Sequence, residues 1–323
     1  MRILVTGSNG VLGRALVAEL RNRNHEVWGC DLFHCDDAYY IRADISDAQQ
    51  LDRAFSIASP ALTYGLAAEF GRLNGEAYPR QLWTSNCLGL SNTIDLCLKY
   101  ASRLVFASSS EAYGDLADRH DILREGLLRD EVPNFHCEYA LSKLVGEHQL
   151  QIARTNSGLK AVALRFFNCY GMEPYTPYRS VVCNFIYRLL HRLPITVYAQ
   201  CHRDFLYISD WARTVANVAD RFDQLRESAY NIGGNDYRSI RVLAQLVLKA
   251  CGYDPGHGSW DGLVEMKDVE PANIQNKRPD IALAVRDLDH APRVRLEEGV
   301  ELTVAWMRKR YGLQDGLQDG PQG

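Results

Sequence analysis

Short apolar runs alternate with longer stretches of helical spacing through the first half of the chain. The runs are "RILVTG", "EVWGCD", "ALTYGLAA", "RLVFAS" and "KAVALRFFN", and the stretches between them cover 11–22, 47–58, 80–100 and 139–156. Regular alternation of strand and helix predicts a parallel sheet with helices on both faces. The expected fold class is therefore α/β, with a doubly wound parallel sheet.

The second half of the chain has a less regular spacing of apolar positions. The pattern predicts helices at 180–192, 210–223, 239–251 and 297–310, with short strands near 195–199, near 205–208 and at "YNIGG". Because no Pro- or Ser-rich linker separates the halves, we expect a smaller lobe packed on the first. The expected division is a sheet domain at 1–170 and a lobe at 171–311, with a segment near 205–235 that returns to the sheet domain. The repetitive end, "GLQDGLQDGPQG" at 312–323, predicts a disordered tail.

Composition and charge exclude several classes of protein. The chain has 323 residues, of which 46% are hydrophobic, and a formal net charge of −4, with Lys and Arg scattered along it. This predicts a substantial core, and without a basic patch no nucleic-acid partner is expected. The sequence has no apolar run long enough to cross a membrane, and a strand pattern begins at Arg2. We therefore expect no signal peptide and a cytoplasmic location.

The cysteines give no sign of a metal site. There are nine, at 30, 35, 87, 97, 137, 169, 183, 201 and 251, without CxxC or zinc-finger spacing. Most lie inside apolar stretches, which predicts reduced, buried thiols. Cys30, Cys35 and His34 could form one corner of a metal site, but the sequence offers no second ligand pair at usable spacing. We therefore expect no metal ion.

Three glycines mark the turn between the first strand and the first helix. Gly7, Gly10 and Gly13 in "TGSNGVLG" are spaced GxxGxxG. Glycine allows a tight turn and lets backbone N–H groups approach a pyrophosphate at the helix N-terminus. The same glycines could serve only the close packing of strand and helix. Their place in a βα unit favours a dinucleotide site.

Two acidic residues bear on the identity of the dinucleotide. Asp31 ends the second strand 18 residues after Gly13, where a carboxylate can accept hydrogen bonds from the adenosine ribose hydroxyls. A carboxylate there would repel a 2′-phosphate, so NAD is expected rather than NADP. Asp44, in "RADISD", stands where it could contact adenine, and a role as helix N-cap fits equally well.

A tyrosine and a lysine four residues apart suggest acid–base chemistry. Tyr139 and Lys143 in "EYALSK" lie at the start of a predicted helix, hence on one face of it. A nearby cation favours the phenolate and lowers the pKa of a tyrosine from about 10. The tyrosine could then take a proton from a sugar hydroxyl. Packing of Tyr139 beside a solvated Lys143 is the alternative.

These motifs and several others occur in the order found in a known family. They are "TGSNGVLG", Asp31, "DISD", "LAA" at 66–68, Asn86, "SSSEAYG", "YALSK", "RFFNCYG", "RDFLYISD", "YNIGG" and "RPDI…LEEG". Together they make the chain resemble the extended short-chain dehydrogenase/reductase family, which contains nucleotide-sugar epimerases, dehydratases and decarboxylases. The resemblance implies a Rossmann domain that holds NAD and a small C-terminal lobe that binds a nucleoside-diphosphate sugar.

The resemblance also assigns roles to individual residues. Ser109 would hydrogen-bond the sugar O4 beside Tyr139, while Lys143 would hold the nicotinamide ribose, and C4 would be oxidised to a ketone. Cofactor contacts are implied for Gly7, Asn9, Gly10, Val11, Leu12, Gly13, Asp31, Asp44, Ile45, Leu66, Ala67, Ala68, Asn86, Tyr139 and Lys143. Substrate contacts are implied for Ser109, Ser110, Glu111, Asn168, Arg203 and Arg278. The two arginines would pair with phosphates, a task that suits the guanidinium group.

Glu111 separates the reactions that the family catalyses. Dehydratases and decarboxylases typically carry an acid here, because a base near C5 assists their chemistry. Lys277 also stands where decarboxylases have a carboxylate-binding arginine. Against these reactions, Ser109 replaces a threonine, Ser110 replaces an aspartate, and "YALSK" is typical of epimerases. A Glu111 side chain that simply faces solvent is a further alternative.

The expected function is that of an NAD-dependent nucleotide-sugar 4-epimerase acting through a transient 4-keto sugar. A 4,6-dehydratase or UDP-glucuronate decarboxylase using Glu111 is the first alternative, and a non-catalytic NAD-binding sensor is the second. The segment 69–83 resembles no standard substrate loop, although it brings Glu69 and Arg72 near the expected pocket. The resemblance further implies a homodimer that pairs through two helices of each subunit, 80–100 and 139–156.

Overall fold

The computed structural model describes residues 1–178, 180–254, 262–269 and 274–313. From residue 314 onward, the predicted disordered tail lies outside the described residues. In chain order the strands are β1 (Arg2–Thr6), β2 (Glu26–Asp31), β3 (Tyr40–Arg42), β4 (Leu62–Gly65), β5 (Arg103–Ser109), β6 (Ala161–Phe166), β7 (Asn168–Tyr170), β8 (Ile195–Tyr198), β9 (His202–Tyr207), β10 (Ala229–Ile232), β11 (Tyr237–Ser239), β12 (Val264–Lys267) and β13 (Asn276–Lys277).

The helices connect these strands and cover them on both sides. They are α1 (Val11–Asn22), α2 (Ala48–Ala58), α3 (Arg72–Ala77), α4 (Pro79–Trp83), α5 (Leu90–Lys99), α6 (Leu116–Arg119), α7 (Leu127–Asp130), α8 (Glu138–Ser157), α9 (Val181–Leu190), α10 (Ile208–Arg221), α11 (Ile240–Cys251), α12 (Ala282–Leu288) and α13 (Leu296–Tyr311). A π-helical stretch, Thr84–Gly89, joins α4 to α5.

Seven strands form one sheet in the order β10–β6–β5–β4–β1–β2–β3, and every neighbouring pair is parallel. Successive side chains point to opposite faces of a strand. Ile3 and Val5 accordingly pack with α1 and α10, whereas Leu4 packs with α2, α5 and α8. Burial on both faces explains why the strands are almost continuously apolar. The predicted α/β fold with a doubly wound parallel sheet is confirmed.

The second half of the chain both completes this sheet and builds a lobe. β10 lies at the sheet edge beside β6, while β9 pairs with β7, β11 and β13, and β8 pairs with β12. α9, α11 and α13 enclose a separate apolar core, with side chains such as Phe185, Leu243 and Val300. Because the lobe has its own core, we propose the division near residue 170 that the sequence suggests.

The boundaries of several strands and helices differ from the predicted ones. The strand expected near 205–208 runs from His202 to Tyr207, and the helix expected from 210 begins at Ile208. The helix expected at 80–100 consists of α4, the π-helical stretch and α5. The sequence pattern does not predict α3, α12, β11 or β13, since so few residues carry little periodic signal.

The cysteines are all free thiols. Burial is confirmed for Cys30, Cys97, Cys183, Cys201 and Cys251, whereas the other four are half-buried. Desolvation raises the pKa of Cys30 to about 12, so this thiol is protonated and unreactive at neutral pH.

A buried ion pair joins β6 to α8 near the carboxyl edge of the sheet. Arg165 is 4% exposed and donates to the two carboxylate oxygens of Glu147 at 2.9 and 2.7 Å. It also donates to the Tyr113 hydroxyl at 2.9 Å, and the Ser108 hydroxyl donates to Glu147 at 2.5 Å. Because β5 carries Ser108 and α8 carries Glu147, this network holds that strand and helix together.

Replacing Glu147 by alanine leaves the Arg165 guanidinium buried without its carboxylate. We expect Glu147→Ala to lower the free energy of unfolding by about 3–5 kcal/mol, the usual cost of breaking a buried pair. Asp52→Ala is the control, because Asp52 and Lys99 form an exposed pair whose removal costs much less. Urea denaturation followed by tryptophan fluorescence measures both variants. Equal losses of stability would contradict this interpretation.

Candidate active site

A cavity of about 680 Å³ opens at the carboxyl ends of the parallel strands. Open parallel sheets bind ligands at this edge, because the loops that follow the strands meet there. The predicted site residues in its wall are Gly7, Asn9, Gly10, Val11, Leu12, Gly13, Asp31, Asp44, Ile45, Leu66, Ala67, Ala68, Ser109, Ser110, Glu111, Tyr139, Lys143 and Asn168. Three others, Asn86, Arg203 and Arg278, are outside this wall as far as the described residues show.

The glycine turn after β1 has no room for side chains. Gly7 has a φ of +71°, a conformation that favours glycine. A Cβ placed on Gly13 would lie 2.1 Å from the Gly7 carbonyl oxygen, and one on Gly7 would lie 2.7 Å from the Ala67 nitrogen. The turn therefore packs tightly against the start of α1, whose N-terminal N–H groups can stabilise a phosphate. This cradle fits the pyrophosphate of NAD.

Asp31 lies at the end of β2 in the same wall. Its carboxylate accepts the Asn9 N–H at 2.9 Å and the Phe33 N–H at 3.4 Å, which fixes its orientation. A carboxylate held there suits the ribose hydroxyls of NAD. Asp44 accepts from the Ser46 N–H at 2.8 Å, whereas the N-cap of α2 is Asp47. The alternative of a helix-capping Asp44 is therefore wrong.

Ser109, Tyr139 and Lys143 come together on the floor of the cavity. Ser109 ends β5, Tyr139 lies in the first turn of α8, and both residues line the cavity. Lys143, one turn further along α8, donates from Nζ to the Ala107 carbonyl at 2.8 Å. Its Nζ lies 5.6 Å from the centre of the Tyr139 ring. Strand and helix thus supply the three groups from opposite sides.

The pKa values of Tyr139 and Lys143 are both shifted by burial. Desolvation raises the pKa of Tyr139 above its ordinary value, and the nearby Ser109 hydroxyl and Gly71 backbone oppose that rise. Desolvation also lowers the pKa of Lys143 to about 8. The predicted lowering of the Tyr139 pKa by Lys143 is therefore wrong for the protein alone, because the loss of water raises the pKa by more than the neighbouring groups lower it.

Glu111 is part of the cavity wall and forms an ion pair with Lys277. The Lys277 side chain is only 3% exposed and that of Glu111 is 22% exposed, so the ammonium is the better shielded of the two groups. Burial acts to raise the pKa of Glu111, but the ammonium of Lys277, helped by the charges of Arg203 and Arg72, holds the pKa below its ordinary value. Glu111 is thus an ionised carboxylate facing the cavity. The alternative of a solvent-facing side chain is wrong.

The two arginines expected at the phosphates have other contacts. Arg203 is buried, and its guanidinium donates to the carbonyls of His202, Ile274 and Gln275, each at 2.8 Å. Arg278 is exposed, and its guanidinium lies 5.6 Å from the centre of the Tyr237 ring. The Arg203 contacts hold the β13 segment against β9, and the Arg278 contact joins it to β11.

The two asparagines of the predicted site differ in their surroundings. Asn168 is in the wall of the main cavity and donates to the Asp204 carbonyl at 3.3 Å. Asn86 lines a small adjoining cavity of about 10 Å³ together with Thr6 and Lys143. Its amide is engaged by protein groups, so the structure does not bring it to the main cavity.

Several wall residues have no counterpart among the residues predicted to bind ligands. Gly71, Ser85 and Glu173 are in the wall, and Glu173 is 6% exposed. Glu173 lies two residues after the "NCYG" motif, and this closeness to a predicted site motif could have marked it as a candidate. Gly71 has no signal beyond being a glycine in the unusual segment 69–83.

The fold and site together define the class of protein. A glycine cradle, a carboxylate at the end of β2, and a Ser–Tyr–Lys set at one sheet edge are the features of a short-chain dehydrogenase/reductase. The model of the NAD dependent epimerase/dehydratase family matches residues 3–233, and the chain belongs to that family. It is an NAD-dependent enzyme of the nucleotide-sugar epimerase, dehydratase and decarboxylase group, so the predicted cofactor is confirmed.

Relatives cover nearly the whole chain but differ in activity. A UDP-N-acetyl-alpha-D-glucosaminuronate decarboxylase of Bacillus cytotoxicus is 27% identical over 95% of this chain and 98% of its own. UDP-glucuronic acid decarboxylase 1 of Xenopus tropicalis is 28% identical over 99% of this chain and 75% of its own. Among solved structures, the UDP-glucose 4-epimerase of Thermus thermophilus with NAD has a TM-score of 0.82 at 28% identity, covering 95% of this chain and 99% of that one.

A search of the described helices finds none with the length and apolar content to span a membrane.

Asp204 of β9, whose carbonyl accepts from Asn168, has a buried carboxyl with no hydrogen bond to the Ser–Tyr–Lys set in the part of the chain that the structure describes. It is 2% exposed and accepts the Gly234 N–H. Burial raises the pKa of Asp204 to about 7. The hydrogen bond from the Gly234 N–H acts to lower this pKa, and the charge of Asp236 acts to raise it. The folded state therefore binds the proton more tightly than the unfolded state does, and Asp204 costs stability once pH rises above about 4.

The stability of the parent is expected to fall relative to Asp204→Asn between pH 5 and 7, by up to about 1.4 kcal/mol for each pH unit. Above about pH 7 the difference should level off, since Asp204 is then ionised in both states. Urea denaturation at a series of pH values measures this. A constant difference across the range would show that Asp204 does not titrate as inferred.

Proposed function

We propose that the chain is an NAD-dependent nucleotide-sugar 4-epimerase. The observation that carries the proposal is the placement of Ser109, Tyr139 and Lys143 in the wall of the cavity that contains the glycine cradle, with the Lys143 Nζ 5.6 Å from the centre of the Tyr139 ring. The glycine cradle and Asp31 would hold NAD, which would supply reversible hydride transfer at C4 of the sugar. The remaining chemistry is proton transfer by the chain's own side chains.

Tyr139 takes the proton of the C4 hydroxyl as the C–H bond at C4 breaks, and gives it back when the ketone is reduced. Ser109 keeps the sugar oxygen and the Tyr139 oxygen in line, since its hydroxyl can hydrogen-bond either one. Lys143 supplies a positive charge whenever its amine is protonated, which below pH 8 is most of the time. With these three groups, epimerisation needs no further acid or base near C5.

The state of Glu111 supports an epimerase over a 4,6-dehydratase. A dehydratase needs a base strong enough to remove the proton at C5, and efficient bases have a pKa near the working pH. Lys277 is ion-paired with Glu111 and helps to hold its pKa below the ordinary value, against the effect of burial. Glu111 therefore has little affinity for a proton.

A UDP-glucuronate decarboxylase is the second candidate. Lys277, Arg203 and Arg72 all act on Glu111, so this end of the cavity has an excess of positive charge that suits a sugar carboxylate. Once C4 is a ketone, a carboxylate on C5 leaves as CO₂ without any base. Two relatives are named as decarboxylases that act on such uronates.

We propose that a nucleoside-diphosphate sugar extends from Ser109 and Tyr139 past Asn168 towards the lobe. A solved relative, the Thermotoga maritima UDP-glucose 4-epimerase, is 25% identical with a TM-score of 0.85 and contains UDP-glucose. Arg278 is exposed and can turn to a phosphate, whereas Arg203 would first have to give up its three carbonyl partners. Arg278 is therefore the stronger candidate for the diphosphate.

Incubation in D₂O with UDP-glucose or UDP-glucuronate, followed by mass spectrometry and proton NMR, tests the proposal. We expect a C4 epimer of unchanged mass without carbon-bound deuterium, because the hydride returns directly. Tyr139→Phe should slow turnover by about 100-fold or more, and Tyr39→Phe, an exposed tyrosine outside the cavity wall, is the control. Loss of CO₂ would instead identify a decarboxylase, and loss of water with deuterium at C5 a dehydratase.

We further propose a homodimer that pairs through the helical segments 79–99 and α8. Leu88 on the first is 51% exposed, and Ile152 on α8 is 60% exposed, which suits an apolar interface. Sedimentation at micromolar concentration should give twice the mass of one chain for the parent. Ile152→Asp should give a single chain, and Ile57→Asp, at an exposed isoleucine of α2, should not. A monomeric parent would refute the dimer.

A further inference from the structure

Residues 171–178, here called the wall segment, lead from β7 towards α9 without forming a helix or strand. The wall segment supplies Glu173 and Tyr178 to the wall of the main cavity, and Ser180, the N-cap of α9, lies in the same wall. A segment without a regular ladder of hydrogen bonds keeps one conformation only through individual contacts. Those contacts therefore determine the shape of the cavity on the side of the lobe.

The first turn of α9 holds the beginning of the wall segment. The Ser180 hydroxyl donates to the Glu173 carboxylate and accepts the Cys183 N–H at 3.4 Å. The Cys183 thiol in turn donates to the Gly171 carbonyl at 3.4 Å. Both Gly171 and Glu173 are buried, so these contacts are shielded from water. They fix residues 171–173 and leave the rest of the wall segment to other contacts.

A group of aromatic rings holds the middle of the wall segment. The ring of Tyr175 is stacked on that of Tyr187 in α9, with 3.8 Å between the ring centres and 7° between the planes. Tyr187 is also stacked on His191, with 4.1 Å between the ring centres. Tyr311, the last residue of α13, meets Tyr187 edge-on at 5.1 Å. Because these rings bury one another's apolar faces, they keep the Tyr175 side chain against α9.

Tyr311 also contacts the backbone of the wall segment. Its hydroxyl accepts the Tyr175 N–H at 2.8 Å. An N–H in an irregular segment needs an acceptor, and this acceptor belongs to a helix that Val304 and Met307 anchor in the core of the lobe. The C-terminal end of α13 therefore restrains a segment that lies 136 residues earlier in the chain.

We propose that Tyr311 is a positioning residue for the substrate, in which its hydroxyl holds the Tyr175 N–H and thereby keeps Glu173 and Tyr178 in place in the cavity wall. The proposal rests on the proposed function, in which a nucleoside-diphosphate sugar extends past Asn168 towards the lobe. A wall that is already ordered binds its ligand more tightly than one that must first become ordered. Tyr311 thus acts on the affinity for the nucleotide sugar and leaves the hydride and proton transfers unchanged.

Three tyrosines of the lobe allow matched substitutions that each remove one hydroxyl. Tyr311→Phe removes the acceptor oxygen and keeps the ring. Tyr175→Phe keeps both the ring and the N–H donor, so the hydrogen bond should survive. Tyr253→Phe removes a hydroxyl that donates to the Leu189 carbonyl, also at 2.8 Å. Since Tyr253 is outside the cavity wall as far as it is described, this variant loses an equivalent hydrogen bond elsewhere in the lobe.

The hydrogen bond can be tested without any sugar. In protein labelled with ¹⁵N-tyrosine and saturated with NAD, the Tyr175 amide is the signal that disappears in Tyr175→Phe. In Tyr311→Phe we expect the Tyr175 amide proton to shift upfield and to exchange with water about fivefold faster, which corresponds to the loss of one neutral hydrogen bond. Tyr253→Phe should leave this signal unchanged. A Tyr175 amide with the parent's shift and exchange rate in Tyr311→Phe overturns the proposal.

Calorimetric titration of the NAD-saturated protein with UDP-glucose and with UDP-glucuronate supplies the second test. Tyr311→Phe is expected to raise the Kd of the nucleotide sugar that binds, and its KM, about fivefold. The kcat value and the NAD affinity should stay at the parent values, and Tyr175→Phe should bind like the parent.

A Kd in Tyr311→Phe equal to that in Tyr253→Phe overturns the proposal, and so does a lower kcat at unchanged KM. If the parent binds neither nucleotide sugar, the proposed function fails, and the Tyr175 amide signal then decides whether Tyr311 holds the wall segment.

Discussion

The placement of Ser109, Tyr139 and Lys143 depends on the buried ion pair between Arg165 and Glu147. Glu147 belongs to α8, the helix that presents Tyr139 and Lys143, and it also accepts the hydroxyl of Ser108, which precedes Ser109 on β5. The buried Glu147 carboxylate binds both the Ser108 hydroxyl of β5 and the Arg165 guanidinium of β6. These hydrogen bonds hold α8 in one position against the sheet. The distance between Ser109 and Tyr139 is thereby set by a network that includes neither of their side chains.

The charged side chains around Glu111 are paired with one another or with backbone groups. Lys277 lies beneath Glu111, and Arg203 is used to hold the backbone of the segment that carries Lys277. A carboxylate can face the cavity in ionised form because its counter-ion is already in place. The same arrangement makes Glu111 a poor proton acceptor, which links the packing of β13 against β9 to the choice of reaction.

The sequence was sufficient to predict the sheet and much of the site, because both produce local patterns. Buried parallel strands are apolar throughout, and the glycines of the cradle and the four-residue spacing of Tyr139 and Lys143 are visible in a few letters. The features that could not be predicted from the sequence depend on contacts between residues far apart in it. The partner of Glu111 is 166 positions away, and the backbone partners of Arg203 lie beside a strand of two residues. The pKa of Tyr139 depends on desolvation, and the spacing of residues along the sequence does not predict how strongly a side chain is desolvated.

The position of β10 in the sheet has a consequence for how the chain is made. Residues 229–232 form the edge strand beside β6, although the first part of the lobe and α10 separate the two in sequence. A nascent chain that has not yet reached β10 leaves β6 with a row of unpaired N–H and C=O groups, which are open to pairing with other chains. Translation of the second half is therefore what protects the first half from aggregation.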